Sequence, residues 1–327
     1  MNFKSDNISP IHPHILKAIQ DANSGCENSY GHDQYSAKLK EKVSQIFEQD
    51  VEVFLVSTGG ISNCLALSSL CQPYQTIYAH RNAHVNVNEG GSAESMGYKI
   101  IPINGSHNKV NPLELQSTIK ATLALRPHMS KSGAISITQP TEIGTVYTLD
   151  EIKALKLFNL PIHMDGARFA NALGYLGCPP KDMVQDIDVL SLGATKNGAM
   201  MGECIVFFNK DYAKDFDYRV KRAGQLTSKM RYLAAQMITY FDVWIENAAH
   251  ANLQAKKLAQ ILSQKYTLAY PVQTNQIFFH IPEEEALDLQ KKSAQFYNWE
   301  SDIYRFVTHF MTSDEEINSF KTLLLDN

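Results

Sequence analysis

The chain has 327 residues, of which 44% are hydrophobic and 20% are charged, and its formal net charge is −4. This length exceeds the usual size of one domain and predicts a large domain with a smaller companion. The balanced composition excludes collagen-like, low-complexity and wholly disordered chains. Because no lysine- or arginine-rich run is present, we expect no nucleic acid and no membrane as partner, and small-molecule chemistry is favoured.

The five cysteines form no CxxC pair. An odd number without that spacing argues against a disulfide framework and a structural zinc site, so we expect no bound metal. The first residues lack the apolar core of a signal peptide, and no apolar run reaches the about 20 residues that cross a bilayer. The sequence therefore predicts a cytoplasmic protein with reduced thiols.

Short β-branched runs alternate with helical patterns from residue 51 onward. The predicted pairs of a strand and its following helix are 51–57 with 61–70, 98–103 with 112–124, 134–138 with 149–158, and 160–164 with 167–173. This alternation is typical of a mostly parallel α/β sheet with helices on both faces.

The chain from residue 188 onward has a different organisation. Residues 188–192 and 203–208 predict two strands, and the Gly-rich loop between them is too short for a crossover helix, so we expect a hairpin. Residues 211–265 are helical in pattern. Strands at 277–281 and 303–310 among helices at 283–292 and 313–325 then indicate a smaller α+β domain. We therefore expect a large domain over 1–238 and a small C-terminal domain over 239–327.

Asp165 follows a predicted buried strand, in the stretch IHMDGAR. Open α/β sheets bind ligands at the carboxyl ends of their strands, so this carboxylate is a candidate site residue. The alternative is that Asp165 only caps the helix that begins near Ala167.

Lys196 lies in the loop of small residues that follows the next strand, in the stretch SLGATKNG. A lone loop lysine is usually a solvated surface charge. Together with Asp165, however, it provides the two side chains that a pyridoxal phosphate (PLP) site requires. There a lysine forms a Schiff base with the aldehyde and an aspartate keeps the ring nitrogen protonated.

Gly59 and Gly60 separate a predicted strand from a predicted helix, in the stretch STGGISN. Free backbone N–H groups at such a helix start can bind a phosphate, although paired glycines are often only a tight turn. The chain has no GxGxxG opening a βαβ unit, no GxxxxGK[ST], no GxSxG and no HExxH. Nicotinamide, nucleotide triphosphate, serine hydrolase and zinc protease functions therefore lack their motifs.

Over nearly its whole length the sequence resembles the low-specificity L-threonine aldolases, which are PLP enzymes of the aspartate-aminotransferase-like fold (fold type I). The stretches that carry the resemblance are FKSDN from residue 3, TGGISN from 58, AHV from 83, EGG from 89, TEIGTVY from 141, HMDGAR from 163, the Lys196 loop, KRAGQL from 221 and YRF from 304. HMDGAR alone is shared with other β-eliminating lyases of this fold. The resemblance implies cleavage of threonine and allo-threonine to glycine and an aldehyde.

The resemblance also implies roles for individual residues. Lys196 would bear the cofactor, Asp165 would face its ring nitrogen, and Gly59 and Gly60 would hold its phosphate. His84 would stack on the ring, although a histidine there could also be a hydrogen-bonded core residue. Ser5, Arg168 and Arg305 would bind the substrate carboxylate, with Arg168 also near the cofactor. Guanidinium groups suit this task because their forked donors match a carboxylate.

The resemblance further implies a homo-oligomer, a dimer or tetramer, with active sites at the subunit interface. Lys221 and Arg231 would flank a segment that reaches the neighbouring subunit's phosphate site, or they are simply solvated charges. Tyr30 and His32 lie in a loop that is near the active site in relatives.

Two positions depart from the family pattern. Gly60 stands where many relatives carry threonine, which removes one possible phosphate donor. Glu142 stands where some relatives carry a second histidine, so His84, Glu89, Glu142 or a water remain candidates for the base that takes the β-hydroxyl proton. A β-eliminating lyase acting on aromatic or sulfur amino acids and a non-catalytic PLP-binding protein are the alternative functions.

Overall fold

The computed structural model describes residues 1–325 and contains a seven-stranded sheet with the order β1-β7-β6-β5-β4-β2-β3. All neighbouring strands are parallel except β7, which is antiparallel to both β1 and β6. The expected mostly parallel sheet and the hairpin of β6 and β7 are thus confirmed. The strands are β1 Glu52–Val56, β2 Gln75–His80, β3 Lys99–Ile103, β4 Lys131–Thr138, β5 Ile162–Gly166, β6 Val189–Leu192 and β7 Glu203–Phe207.

Helices cover both faces of this sheet. Successive residues of one strand enter different cores: Val189 and Ile205 pack on one face, whereas Leu190 and Val206 pack on the other. This two-sided burial explains the continuous apolar runs of the sequence. The helices are α1 Pro13–Asp21, α2 Gln34–Ile46, α3 Gly59–Leu70, α4 His84–Val87, α5 Ser92–Ser95, α6 Pro112–Ala124, α7 Leu149–Lys156, α8 Phe169–Leu176, α9 Pro180–Met183, α10 Phe216–Arg222, α11 Arg231–Leu262, α12 Glu283–Lys291 and α13 Asp314–Leu325.

A second sheet lies in the C-terminal part of the chain. Its strands are β8 Gln276–His280, β9 Tyr297–Glu300 and β10 Ile303–Val307, in the antiparallel order β8-β10-β9. The strands expected at 277–281 and 303–310 are confirmed, although β10 ends at Val307 and β9 was not predicted. β9 is mostly exposed, so its sequence lacks a buried pattern.

One long helix, α11, connects the two cores. Residues up to Ala248 pack in the core of the large sheet, and residues from Ala255 onward pack with the small sheet. Residue 239 lies inside this helix. None of the helices among residues 1–325 is long and apolar enough to cross a membrane.

The N-terminal segment packs against the small sheet. Phe3 is buried in its core and stacks on Phe306 at 4.9 Å between ring centroids. The backbone N–H of Phe3 donates to Gln295 O, and the N–H of Val307 donates to Phe3 O. The chain then continues from this sheet to the cavity of the large one.

Candidate active site

A cavity of about 280 Å³ lies at the carboxyl ends of β1, β4, β5 and β6. This edge of an open α/β sheet is where ligands bind. The predicted residues that line the cavity are Gly59, Gly60, His84, Glu142, Asp165, Arg168 and Lys196. Three predicted candidates, Ser5, Glu89 and Arg305, are not among its lining residues.

The N-terminus of α3 borders one end of the cavity. Thr58 is its N-cap and accepts from the Ile61 N–H at 3.4 Å. The first N–H groups of a helix have no partner inside the helix, so those of Gly59 and Gly60 are suited to an anion. Ser62 adds a buried hydroxyl without a hydrogen-bond partner in the structure.

Asp165 forms the floor of the cavity at the end of β5. Its Oδ1 accepts from the Ala167 N–H at 3.0 Å, and its Oδ2 accepts from the Asn63 amide at 2.8 Å. The carboxylate is 4% exposed. It therefore holds the turn at Ala167 and faces the cavity at the same time, but it does not cap the following helix, whose N-cap is Arg168.

A hydrogen-bonded chain runs from Asp165 to His84. Besides Asp165, the Asn63 amide donates to Glu89 Oε1 at 2.8 Å, and His84 Nδ1 lies 2.8 Å from the same oxygen. The hydrogen bond with Glu89 raises the pKa of His84 against the effect of partial burial. His84, Glu89 and Asp165 have ligand-type atoms within 4.8 Å of one another, but the Asn63 amide already supplies donors to both carboxylates.

Lys196 projects from the hairpin loop between β6 and β7, in a 3₁₀ turn at Thr195–Asn197. The loop passes close to the end of β5, because a Cβ on Gly193 would meet Ala167 Cα at 2.6 Å. Only glycine permits this approach. The Lys196 amine has no hydrogen bond or ion pair within residues 1–325.

Arg168 is held in a buried ion pair with Asp6 of the N-terminal segment. Its Nε and Nη2 donate to the two carboxylate oxygens at 2.6 and 3.0 Å. Asn275 donates a third hydrogen bond to Asp6 at 3.0 Å. Burial disfavours the charged form of both residues, but their mutual attraction and hydrogen bonds outweigh it. The pKa of Asp6 is therefore lowered and the pKa of Arg168 is raised.

Arg305 of β10 is buried without a carboxylate partner in the described chain. Its guanidinium lies over the rings of Tyr297 and Trp299, at 4.7 and 5.0 Å from their centroids. Its Nε is buried without a hydrogen bond. Burial, together with the positive charge of Arg168, lowers the pKa of Arg305 to about 10. A guanidinium in this state is suited to an anionic ligand.

Glu142 and Ser5 occupy different positions relative to the cavity. The Glu142 carboxylate lines it and has no hydrogen bond within residues 1–325. Burial, and then the negative charge of Asp165, raise its pKa. Ser5 instead accepts from the Asn7 N–H at 3.1 Å, and Asn7 is the residue of this segment that reaches the cavity.

The loop residues lie away from the cavity within one chain. The Lys221 amine lies 5.2 Å above the ring of Tyr30. Arg231 donates to Gly25 O at 3.0 Å. Gln225 of the same segment accepts from the Ser57 N–H and hydroxyl, which ties it to the end of β1. Neither Lys221, Arg231 nor His32 lines the cavity.

Comparison with known proteins decides the family. A sequence profile described as beta-eliminating lyase matches residues 2–284. The chain belongs to this family. The low specificity L-threonine aldolase of Pseudomonas aeruginosa is 39% identical over 93% of this chain and 94% of its own length. The enzyme of the same name from a Pseudomonas species is 40% identical over 91% of this chain and 89% of its own length.

The family assignment agrees with the three-dimensional comparison. The threonine aldolase of Leishmania major superposes with a TM-score of 0.94, at 26% identity, over 99% of this chain and 98% of that chain. The expected fold type I architecture is thus confirmed, as is the resemblance to the threonine aldolases. The family is PLP-dependent, so PLP is the cofactor of this protein.

The cavity fits that cofactor. Within residues 1–325 it offers a lysine amine without a hydrogen bond or ion pair, a buried carboxylate, and a helix N-terminus beside the Ser62 hydroxyl, which has no hydrogen-bond partner. An imine-forming amine, an anion for the ring nitrogen and donors for a phosphate are what PLP requires. Sequence reasoning missed Asp6, Asn63 and Glu203, which hold Arg168, Asp165 and the Lys196 loop in place.

Proposed function

We propose that this protein is a PLP-dependent carbon–carbon lyase that cleaves L-threonine, L-allo-threonine and related β-hydroxy-α-amino acids to glycine and an aldehyde. The observation that carries the proposal is the partner-free Lys196 amine in one cavity with Asp165. Relatives named low specificity L-threonine aldolase, at 39% and 40% identity, support the reaction type.

The cofactor would be held by residues from four elements. Lys196 would bind it covalently, Asp165 would pair with its ring nitrogen, and His84 would stack on its face. Gly59 and Gly60 at the start of α3 would hold the phosphate. Bound PLP supplies an electron sink for the pair released when the Cα–Cβ bond breaks. Asn63 keeps the Asp165 carboxylate aimed at the cavity by its 2.8 Å hydrogen bond.

The substrate carboxylate would bind between Arg305 and Arg168, with Ser5 nearby. Arg168 already gives two donors to Asp6, whereas the Nε of Arg305 is free. Arg305 would therefore carry most of the binding, and Arg168 would add the donors that Asp6 leaves. Fixing the carboxylate also fixes the Cα–Cβ bond relative to the ring, which selects the bond that breaks.

The proton of the substrate β-hydroxyl needs an acceptor. The cavity offers His84, supported by Glu89, and the partner-free carboxylate of Glu142. Glu142 has a raised pKa, which brings it closer to the working pH of a base. Glu89 itself and a bound water are the other candidates.

Assembly, location and domain division extend the proposal. We infer a homo-oligomer, a dimer or homotetramer, in which the segment with Lys221 and Arg231 and the loop with Tyr30 and His32 reach a neighbouring site. The exposed ring of Tyr30 supports a contact there. Five cysteines without a disulfide support a cytoplasmic location. We divide the chain into domains over 1–238 and 239–327; the separate core of the C-terminal sheet supports a second domain, although residues up to Ala248 pack with the large sheet.

A product assay on threonine and allo-threonine tests the reaction. We expect glycine and acetaldehyde from the PLP-loaded protein, and loss of turnover and of lysine-bound PLP in Lys196→Ala. The control Lys181→Ala removes an exposed lysine paired with Glu48 and should leave turnover unchanged. Turnover of aromatic or sulfur amino acids without glycine would instead establish a β-eliminating lyase. Bound PLP without any product would indicate a binding protein.

A further inference from the structure

A second buried carboxylate, Glu203, borders the cavity and has no part in the reaction described above. It is the first residue of β7, is 6% exposed and lines the cavity together with Lys196. A buried carboxylate destabilises the folded chain unless hydrogen bonds or a partner charge compensate for its desolvation.

Both oxygens of Glu203 are bonded to the residues directly before Lys196. Oε2 accepts from the backbone N–H of Ala194 at 2.6 Å, and Oε1 accepts from the Thr195 hydroxyl at 2.8 Å. Leu192 of β6 pairs with Cys204 of β7, so Glu203 closes the hairpin loop across its base. The conformation of the lysine loop therefore depends on this side chain.

Charged and titratable groups face this pair from several elements. Burial raises the pKa of Glu203 to about 7, against the two hydrogen bonds and the positive charge of Lys196; Asp165 of β5 adds to the rise. Tyr240 of α11 and the adjacent Cys204 also face Glu203, and burial raises the pKa of both, so they remain uncharged. The carboxylates of Asp6 and Glu142 also interact electrostatically with Lys196.

We propose that Glu203 is a positioning residue for Lys196: it anchors residues 194 and 195 of the loop and places a carboxylate in the cavity that the Lys196 side chain also lines. This inference rests on the proposed role of Lys196 in holding PLP. It assigns two effects to one carboxylate, an anchor through Ala194 and Thr195 and a charge toward Lys196.

Glu203→Gln separates the two effects. The amide oxygen still accepts from Ala194, and the amide NH2 donates to the Thr195 hydroxyl, so the anchor remains and the charge is lost. A pH titration of the visible absorption of the PLP-loaded protein reports protonation of the nitrogen that joins lysine and cofactor. We expect the midpoint to fall by about one pH unit in E203Q, because an adjacent opposite charge shifts a titration by that order.

Two further variants complete the experiment. Glu203→Ala removes charge and anchor, so we expect the same fall together with faster loss of PLP on dialysis. Glu52→Gln makes the same change on β1, at the other end of its pairing with β7, and should not move the midpoint. An unshifted midpoint in both Glu203 variants overturns the inference. If the PLP-loaded protein has the same visible absorption in wild type and in Lys196→Ala, the proposed function is overturned as well. The two failures are therefore distinguishable.

Discussion

Replacing Glu203 by glutamine tests whether burial of the Glu203 carboxylate lowers the stability of the folded protein. The carboxyl group has an ordinary pKa of 4.5, and burial raises it to about 7 in the folded chain. Below pH 4.5 the group is protonated in both the folded and the unfolded state and does not affect the free energy of unfolding. Between these pH values the unfolded chain ionises first, so stability falls as the pH rises.

The size of the effect follows from the difference between the two pKa values. Above pH 7 a pKa shift of this size lowers the free energy of unfolding by about 3 kcal/mol, because each pKa unit corresponds to about 1.36 kcal/mol. Glutamine does not ionise and keeps both hydrogen bonds. We therefore expect E203Q to unfold at a higher temperature than wild type at pH 8, by roughly 5 °C, and at nearly the same temperature at pH 4.5.

Differential scanning calorimetry of the cofactor-free protein measures this difference. E52Q serves as the control, since Glu52 is partly exposed and paired with Lys40. A difference between E203Q and wild type that does not grow with pH, or a destabilised E203Q at pH 8, would refute the reasoning. The first result would mean that Glu203 ionises with the same pKa in the folded and the unfolded state, and the second that its charge is stabilising.

Three further predictions concern the partners of the site. Asp6→Asn leaves Arg168 buried without its carboxylate and should lower the free energy of unfolding by about 3–5 kcal/mol in denaturant titrations; a loss below about 1 kcal/mol would contradict the ion pair. Glu89→Gln should lower the pH at which the His84 ring protons titrate by NMR, because Glu89 raises the pKa of His84; an unchanged titration contradicts this. Arg305→Ala should retain PLP but lower kcat/KM for threonine about 10–100-fold, for a lost contact of about 1.5–3 kcal/mol; unchanged kinetics would remove Arg305 from the site.

The parallel core was predictable because its signals are local. β5 is buried along its whole length, and the short segment 160–164 between two helical patterns predicts it although His163 is polar. Helix α7 begins with a capping box, in which Thr148 and Glu151 satisfy each other's backbone N–H groups. Signals of this kind lie within a few residues of one another, so a single sequence contains them.

Strand β2 was missed because its buried polar side chains form hydrogen bonds only with residues that are distant in the sequence. It lies between β3 and β4, and its side chains include two buried polar ones. The Thr76 hydroxyl donates to Lys99 O at 2.8 Å, and His80 lies 3.2 Å from Gly105 O. Without those partners the segment looks too polar for the interior of a sheet.

The supporting carboxylates were missed for a related reason. Asp6 and Arg168 are 162 residues apart, and Asp6 and Asn275 are 269 residues apart. Glu203, as a charged residue at the start of a strand, resembles a solvent-facing position. Only the folded chain shows that each of these carboxylates holds a residue of the cavity.

The attachment of the N-terminal segment to the C-terminal sheet has a consequence for how the protein is made. Residues 2–6 leave the ribosome long before β10, against which Phe3 packs. Until then Phe3 has no core to enter, and Asp6 lacks the Asn275 amide that helps to hold it beside Arg168. The residues that line the cofactor end of the cavity, within 57–203, are all synthesised earlier. Translation therefore supplies the residues of the cofactor site before the strand that carries Arg305.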